Sequence, residues 1–301
     1  MKKTLLTLSF GVLFVLLTAC GGDSETATDA QGEDGEGRLE QLQEAGTVKV
    51  GFANEEPYAY QDANGELKGA AVDIAEAVFA ELGVENMESQ LADFSQLIPG
   101  LQAGQFDVIT AGMAINGDRC ENALFGEPSM QYGEGVVVEA GNPHDIQSYE
   151  DIANNPDLTV VVMEGATEIE FLQQEGDDPD QITTASDIPA TFSAVQAGRA
   201  DVTTGTEMTV RMAFESADTE DLELVESFEQ PEIEGVPSYG AEAFNLNDQE
   251  LRDAYSEKLN ELKEDGTIEE LLEANGFSAE SNMVPAGEVT TEQVCSGEIY
   301  E

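Results

Sequence analysis

Residues 51–60 read GFANEEPYAY and set Glu55 and Glu56 beside Pro57, Tyr58 and Tyr60, directly after an apolar run. A carboxylate at the end of a strand, followed by a proline that fixes the turn, can point into a cleft above the edge of a sheet. Its alternative is one more hydrated acid, and Glu56 reads as the solvated one of the two. Arg119 follows Gly117 and Asp118 just past FDVITAG, and a planar guanidinium can grip a carboxylate through two parallel hydrogen bonds. A surface ion pair is the plainer reading. MEGATEIEFL passes from a strand into a helix at Gly165, Ala166 and Thr167, where helix N-terminal amides attract anions. Thr167 with Glu170 three residues on also reads as a capping box.

Catalysis finds less support. The sole histidine, His144 in GNPHD, falls in a loop after a strand, and neither a zinc spacing nor a glycine-rich phosphate loop occurs. No catalytic residue, metal or cofactor is therefore assigned. In QDANGELKG, Asp62, Asn64 and Glu66 with Gly65 loosely match half of a calcium loop, but the twelfth position is Asp73 rather than glutamate, and a β-turn explains the stretch better.

The chain has 301 residues, 41% hydrophobic, enough for one large or two ordinary domains with cores. With 63 acidic residues, 11 basic ones and a net charge of −52, it lacks the basic face that nucleic acid requires. Self-repulsion on this scale weakens a compact fold at low ionic strength. Salt relieves it, because the Debye length falls from about 10 Å at 0.1 M to about 3 Å at 1 M. The pattern reads as a salt-adapted surface.

Residues 1–19, with Lys2, Lys3 and an apolar stretch from Leu5 to Leu17, read as a secretory signal. Leu17-Thr18-Ala19-Cys20 resembles the bacterial lipoprotein box, which implies cleavage before Cys20, lipidation of its sulfur and tethering outside the membrane. Residues 20–38 then form an acidic flexible linker. Cys120 and Cys295 remain. Two thiols outside the cell most simply pair, and two buried free cysteines are the other reading.

From Thr47 the chain alternates strands and helices, the rhythm of parallel, helix-covered sheets. LQAGQFDVIT (101–110) and VQAGRADVTT (195–204) share six of ten positions, each a glycine-capped helix end running into a strand. Two α/β lobes of similar construction follow, with a hinge of two crossings near 133 and 239. Lobe 1 spans 39–133 and 239–301, and lobe 2 spans 134–238. A shared local solution to helix-to-strand turns is the alternative origin of the repeat.

The order of the lipoprotein box, TVKVGFANEEPYAY, LKGAAVDIAEAV, LIPGLQAGQFDVITAGM, DRCENALF and LKEDGTIEELLEANGF resembles the solute-binding proteins of polar amino acid ABC transporters, and within them the ectoine and hydroxyectoine binding proteins. The resemblance covers nearly all of residues 39–301. It implies the two-lobe periplasmic-binding-protein fold (type II), with a mixed sheet and flanking helices in each lobe. It also implies a monomer that closes on a small zwitterion and delivers it to a membrane permease. Arg119 would hold the ligand carboxylate with a hydroxyl from Thr167, Glu55 would meet the cationic amidine, and Tyr58 and Phe94 would be two walls of an aromatic box. Core packing is the other reading of Phe94. Two positions depart from the pattern. Ala114 stands where the ectoine binders carry phenylalanine, leaving a gap that another ring such as Tyr239 could fill. Thr206 stands where amino acid binders carry an aspartate for the α-ammonium, which favours a cation delocalised in a ring. A polar amino acid or a betaine is the alternative ligand, and dehydratases exist on the same fold.

Overall fold

The computed structural model describes residues 37–217 and 219–300. The expected signal segment, the lipidated Cys20 and most of the linker lie outside the described residues. No described helix is long and apolar enough to cross a membrane.

The chain starts with helix α1 (Arg38–Ala45) and strand β1 (Thr47–Phe52), then makes a small hairpin of β2 (Tyr60–Gln61) and β3 (Leu67–Lys68). Helix α2 (Ala70–Glu81), β4 (Asn86–Leu91), a 3₁₀ turn at Phe94–Gln96, α3 (Leu97–Gln102), β5 (Val108–Ala114) and the short α4 (Gly117–Cys120) follow. After β6 (Leu124–Phe125) and β7 (Met130–Tyr132) comes a second group of elements. It comprises β8 (Glu134–Glu139), α5 (Tyr149–Ala153), β9 (Val160–Met163), α6 (Glu168–Glu175), β10 (Ile182–Ala185), α7 (Ile188–Gln196), β11 (Val202–Thr206), α8 (Glu207–Ser216) and β12 (Leu222–Leu224). Strand β13 (Ser238–Phe244), then α9 (Gln249–Glu264), α10 (Thr267–Ala274), α11 (Ala279–Asn282) and α12 (Thr291–Cys295) complete the chain.

Two mixed sheets result, each flanked by helices. The first runs β4-β1-β5-β13-β6, with β7 also on β13, and the second runs β10-β9-β11-β8-β12. In the first, β1 is parallel to β4 and β5 while β13 returns antiparallel to β5, and in the second β8 lies antiparallel to β11 and β12. Strands β5 and β13 are buried at every position, as helices on both faces require. Edge strand β4, NMESQL, was hidden in the sequence because its side chains are polar and mostly exposed.

The sequence repeat has a shared geometry. Gly104 and Gly198, both left-handed at φ 67° and 62°, end α3 and α7. The aspartate three residues on then ties each new strand to its neighbour. Asp107 accepts from the Lys49 amide at 2.9 Å and returns its own amide to the Lys49 carbonyl at 2.7 Å. Asp201 does the same with Thr159, at 2.8 Å in both directions.

The chain passes from the first sheet to the second at Gly133 and returns between Leu224 and Ser238. Gln230 on the returning segment fastens the two crossings, accepting from the Glu134 amide at 2.7 Å and donating to the Glu134 carbonyl at 2.9 Å. A Cβ on Gly133 would meet the Gln230 side chain at 2.3 Å, so glycine permits this approach. Opposite, a disulfide joins Cys120 of α4 to Cys295 of α12, the pairing expected of the two thiols.

Replacing either repeat aspartate by alanine strands a strand amide, and we expect each to lose about 1–2 kcal/mol in denaturant unfolding. Asp107→Ala should lose the more, because Asp107 also pairs with Arg38. Equal stability of Asp201→Ala and the parent protein would show that the shared bond contributes nothing.

Candidate functional site

The loop after β1 is built to aim one acid inward. Asn54 adopts a left-handed φ of 56°, and Glu55 closes a tight turn through its amide to the Ala59 carbonyl at 2.8 Å and its carbonyl to the amides of Tyr58 and Ala59 at 2.9 Å. Glu55 is buried at 9% exposure, and its Oε1 has no partner. Burial pushes its carboxyl up to about 8, the neighbouring Glu168 adds to this, and Arg119 opposes it. Glu56 is half-buried and does not line the cavity that Glu55 borders.

Tyr58 is locked beside it. Its ring packs edge-on against Tyr132 at 5.3 Å and Phe277 at 5.2 Å between centroids. Gly112, at φ 58° beside an irregularity in the β5–β13 pairing, lies under the ring, and a Cβ there would reach Tyr58 Cδ1 at 2.5 Å. Glycine is the residue this contact allows.

Arg119 is positioned by its helix end. The Asn116 side chain caps α4 by accepting from the Arg119 amide at 2.8 Å. The guanidinium donates to the Ala114 carbonyl at 2.7 Å and to the Gly165 carbonyl at 2.9 Å, and lies 5.3 Å from the Phe94 ring centre. It therefore bridges the two sheets' domains directly and stacks on an aromatic face. Phe94 does both things the sequence left open. It lines the cavity and packs against apolar clusters on both sides of the cleft.

Across the cleft, Gly165 adopts φ 85° and comes so close to Ser95 that a Cβ would lie 3.1 Å from its Cα. Thr167 is the N-cap of α6, but its hydroxyl makes no capping bond, so the expected capping box does not form. The hydroxyl is left for the cavity that Thr167 lines.

Glu55, Tyr58, Phe94, Arg119 and Thr167 thus border one cavity of about 470 Å³, open mouth included. Ala114 also borders it. Tyr239 does not. It pairs with Gln131 across β7–β13 while Tyr132 pairs with Ser238, so the two rings point to opposite faces, and Tyr239 packs beside Tyr300. Tyr132 is the ring on the cavity side, its hydroxyl donating to the Gly112 carbonyl at 2.7 Å.

Two further acids were not singled out in the sequence. Glu168, first residue of α6, borders the cavity at 4% exposure, and Glu134, first residue of β8, stands behind it at 1%. Burial drives both carboxyl groups up, Glu134 strongly and with the charge of Glu168 adding to it. Glu134 and Glu168 form a buried pair whose carboxyl groups act on each other, and the amides of Glu168 and Thr206 favour the charged form of Glu168. Burial and the charge of Glu168 favour the neutral form of Glu134, whereas nearby amides and Arg119 favour the charged form of Glu168. An anion thus stands beside Thr206 after all, supplied from a different element. The composition hid both residues, since 63 acids give no sign of which are buried.

The other candidates lie elsewhere. His144 lies 3.8 Å from Asp201 in a surface loop. Asp62 closes an Asx turn, accepting from the amides of Asn64 at 2.8 Å and Glu66 at 2.9 Å. No group of three or more potential metal ligands occurs among the described residues.

Comparison with known proteins places this cleft in a family. The model for bacterial extracellular solute-binding proteins, family 3, matches residues 48–276. A probable amino-acid ABC transporter periplasmic-binding protein of Sinorhizobium fredii, y4tE, is 37% identical over 262 residues, 86% of each chain. The crystal structure of EhuB in complex with hydroxyectoine is similar with a TM-score of 0.77 and 32% identity, over 86% of this chain and 97% of that one. The ancestral amino acid-binding protein AncCDT-1, a precursor of cyclohexadienyl dehydratase, is similar with a TM-score of 0.67 and 28% identity, over 78% and 98% of the two chains. These relatives are mostly binding proteins.

The raised Glu55 has a consequence for stability. Its folded carboxyl binds a proton more tightly than an unfolded one, so it costs stability progressively as pH rises from about 4.5 toward about 8. Glu55→Gln removes that loss. We expect the unliganded variant to match the parent near pH 4 and to exceed it by about 1–3 kcal/mol near pH 8, read from unfolding at the two pH values. A gap independent of pH would place the titration elsewhere.

Proposed function

Because the chain belongs to the bacterial extracellular solute-binding proteins, family 3, and is a solute-binding protein of an ABC transporter for amino acids or related solutes, we propose that its cleft captures ectoine or 5-hydroxyectoine. The observation that carries this reading is the pairing of opposite charges in one ring-lined cavity. Arg119 stands for the ligand carboxylate and Glu55 for its cation, with Tyr58, Phe94 and Tyr132 around them. Ectoine is a small zwitterion with a carboxylate on a ring whose positive charge is delocalised. Arg119 spends two N–H groups on backbone carbonyls and keeps the rest of its five donors for a ligand. Thr167 adds a hydroxyl from the other side. An arriving cation displaces the proton that burial holds on Glu55, so capture exchanges one positive charge for another. The likeness to the hydroxyectoine complex of EhuB supports the ligand class.

Closure follows from contacts made to both sides at once, with lobe 1 (39–133 and 239–301) and lobe 2 (134–238) approaching about the two crossings. Lipidation at Cys20 would hold the protein on the outer side of the cell membrane, where it meets the importer's permease. A second reading, a polar amino acid, is favoured by one observation. Glu168 beside Thr206 gives an α-ammonium the anion it needs.

A thermal-shift panel in high salt separates the two readings, since ligand raises apparent stability by mass action. We expect ectoine and hydroxyectoine to raise the midpoint most. A rise with glutamine or arginine and none with ectoine would replace the first reading by the second. Arg119→Ala should lose at least about 2 kcal/mol of ligand affinity, the penalty for a buried carboxylate left without its partner. Unchanged calorimetric affinity would remove the carboxylate assignment.

A further inference from the structure

Glu168 is the only member of the cavity wall whose charge has no counterpart in a clamp made of Arg119 and Glu55 alone. It is 96% withdrawn from solvent, being 4% exposed, and its Oε2 has no partner in the structure. A buried carboxylate is retained where donors hold it, and here they come from lobe 2 alone, namely its own amide, the Thr206 amide and the Glu134 carboxyl. Behind these, Tyr149 donates to Glu134 Oε2 at 3.2 Å, and its oxygen lies 2.6 Å from the Thr204 hydroxyl, which reaches the Gly135 carbonyl at 3.0 Å. The whole chain is buried, and it starts at the first residue beyond the hinge crossing.

Across the cavity, Glu55 presents its own partnerless Oε1 from lobe 1. We propose that Glu168, positioned by Glu134, is a second anion of the binding site and selects ligands whose cationic group carries N–H donors toward both lobes. The proposal rests on the zwitterion reading above and adds to it a rule of selection. A ring amidinium offers N–H groups on two sides and satisfies both carboxylates. A quaternary betaine offers none and leaves two buried acceptors unmet.

Calorimetry on the purified protein tests this with ectoine and glycine betaine. The parent protein should prefer ectoine at least tenfold, and Glu168→Gln should cut that preference at least tenfold. Glu134→Gln, which keeps a donor for Glu168, should stay within threefold of the parent for ectoine, whereas Glu134→Leu should lose about tenfold. A merely structural role would penalise both substitutions of Glu134 alike and leave the ectoine-to-betaine ratio unchanged. Ectoine affinity within threefold of the parent in Glu168→Gln overturns the proposal while leaving the ectoine reading intact. If Glu168→Gln does not fold, the parent's own ratio decides, and equal affinities overturn the proposal. If the parent binds a polar amino acid instead of ectoine, the ectoine reading fails. The same tenfold loss, measured with that amino acid, then still supports the role of Glu168. A parent that binds betaine and neither N–H cation overturns both.

Discussion

The site is governed by an imbalance of buried charge. Two carboxyl groups, Glu55 and Glu168, share one cavity with one guanidinium, Arg119, and a third, Glu134, is buried behind Glu168. Desolvation penalises every ionised member, and the structure meets that penalty unevenly. Amides and Arg119 favour the charged form of Glu168, and burial and its neighbour favour the neutral form of Glu134. Glu55 and Glu168, which border the cavity, each keep an oxygen that nothing in the structure satisfies. An unmet acceptor in a desolvated cavity is a deficit that a ligand cation removes, and the binding free energy draws on it directly. A fully satisfied pocket would be more stable and would bind less.

Close approach of backbones makes this arrangement possible. Gly112 lets the Tyr58 ring lie against β5, Gly165 lets the α6 turn reach the Phe94–Ser95 segment, and Gly133 lets Gln230 tie the crossings together. Each contact excludes water from charges that would otherwise be screened by it. The Arg119 bond to the Gly165 carbonyl has a second effect, because it links the guanidinium of one lobe to the turn that bears Thr167 in the other. Contacts of this kind define a closed geometry that both lobes share, rather than two half-sites that happen to meet. The disulfide from Cys120 to Cys295 anchors the residue next to Arg119 to the C-terminal helix, so the arginine rests on a fixed base.

Much of this was legible in the sequence, and the parts that were not fail for identifiable reasons. Alternating apolar runs and the QAG repeat announced two α/β lobes, since buried strands and glycine caps leave strong local signals. They read as parallel sheets, however, and the antiparallel β8 and β13 that make both sheets mixed were implied only by the family resemblance. Glu55, Tyr58, Phe94, Arg119 and Thr167 stood out through motif resemblance, and the structure brings all five to one cavity. Glu134 and Glu168 did not, because burial of an acid is a tertiary property and neither flank differs from the many solvated glutamates around it. Tyr239 was named as a ring that could fill the gap, and Tyr132 was not considered, because a single residue of β7–β13 register decides which face a ring takes. The Thr167 capping box failed because a hydroxyl facing a cavity gains nothing by turning back to its own helix.

The outer surface and the inner site distinguish solutes by different properties. A net charge of −52 attracts cations at long range, repels anions and is indifferent to a neutral zwitterion, and salt shrinks its reach to a few ångströms at molar concentration. The cavity groups are withdrawn from that screening. In the proposed binding mode they meet the internal pattern of a molecule, a carboxylate on one side and a cation on the other, whatever its net charge. High salt therefore weakens the surface's preference for cations while leaving the clamp's preference for opposed charges in place. A neutral zwitterion is the class of solute for which the two layers never conflict.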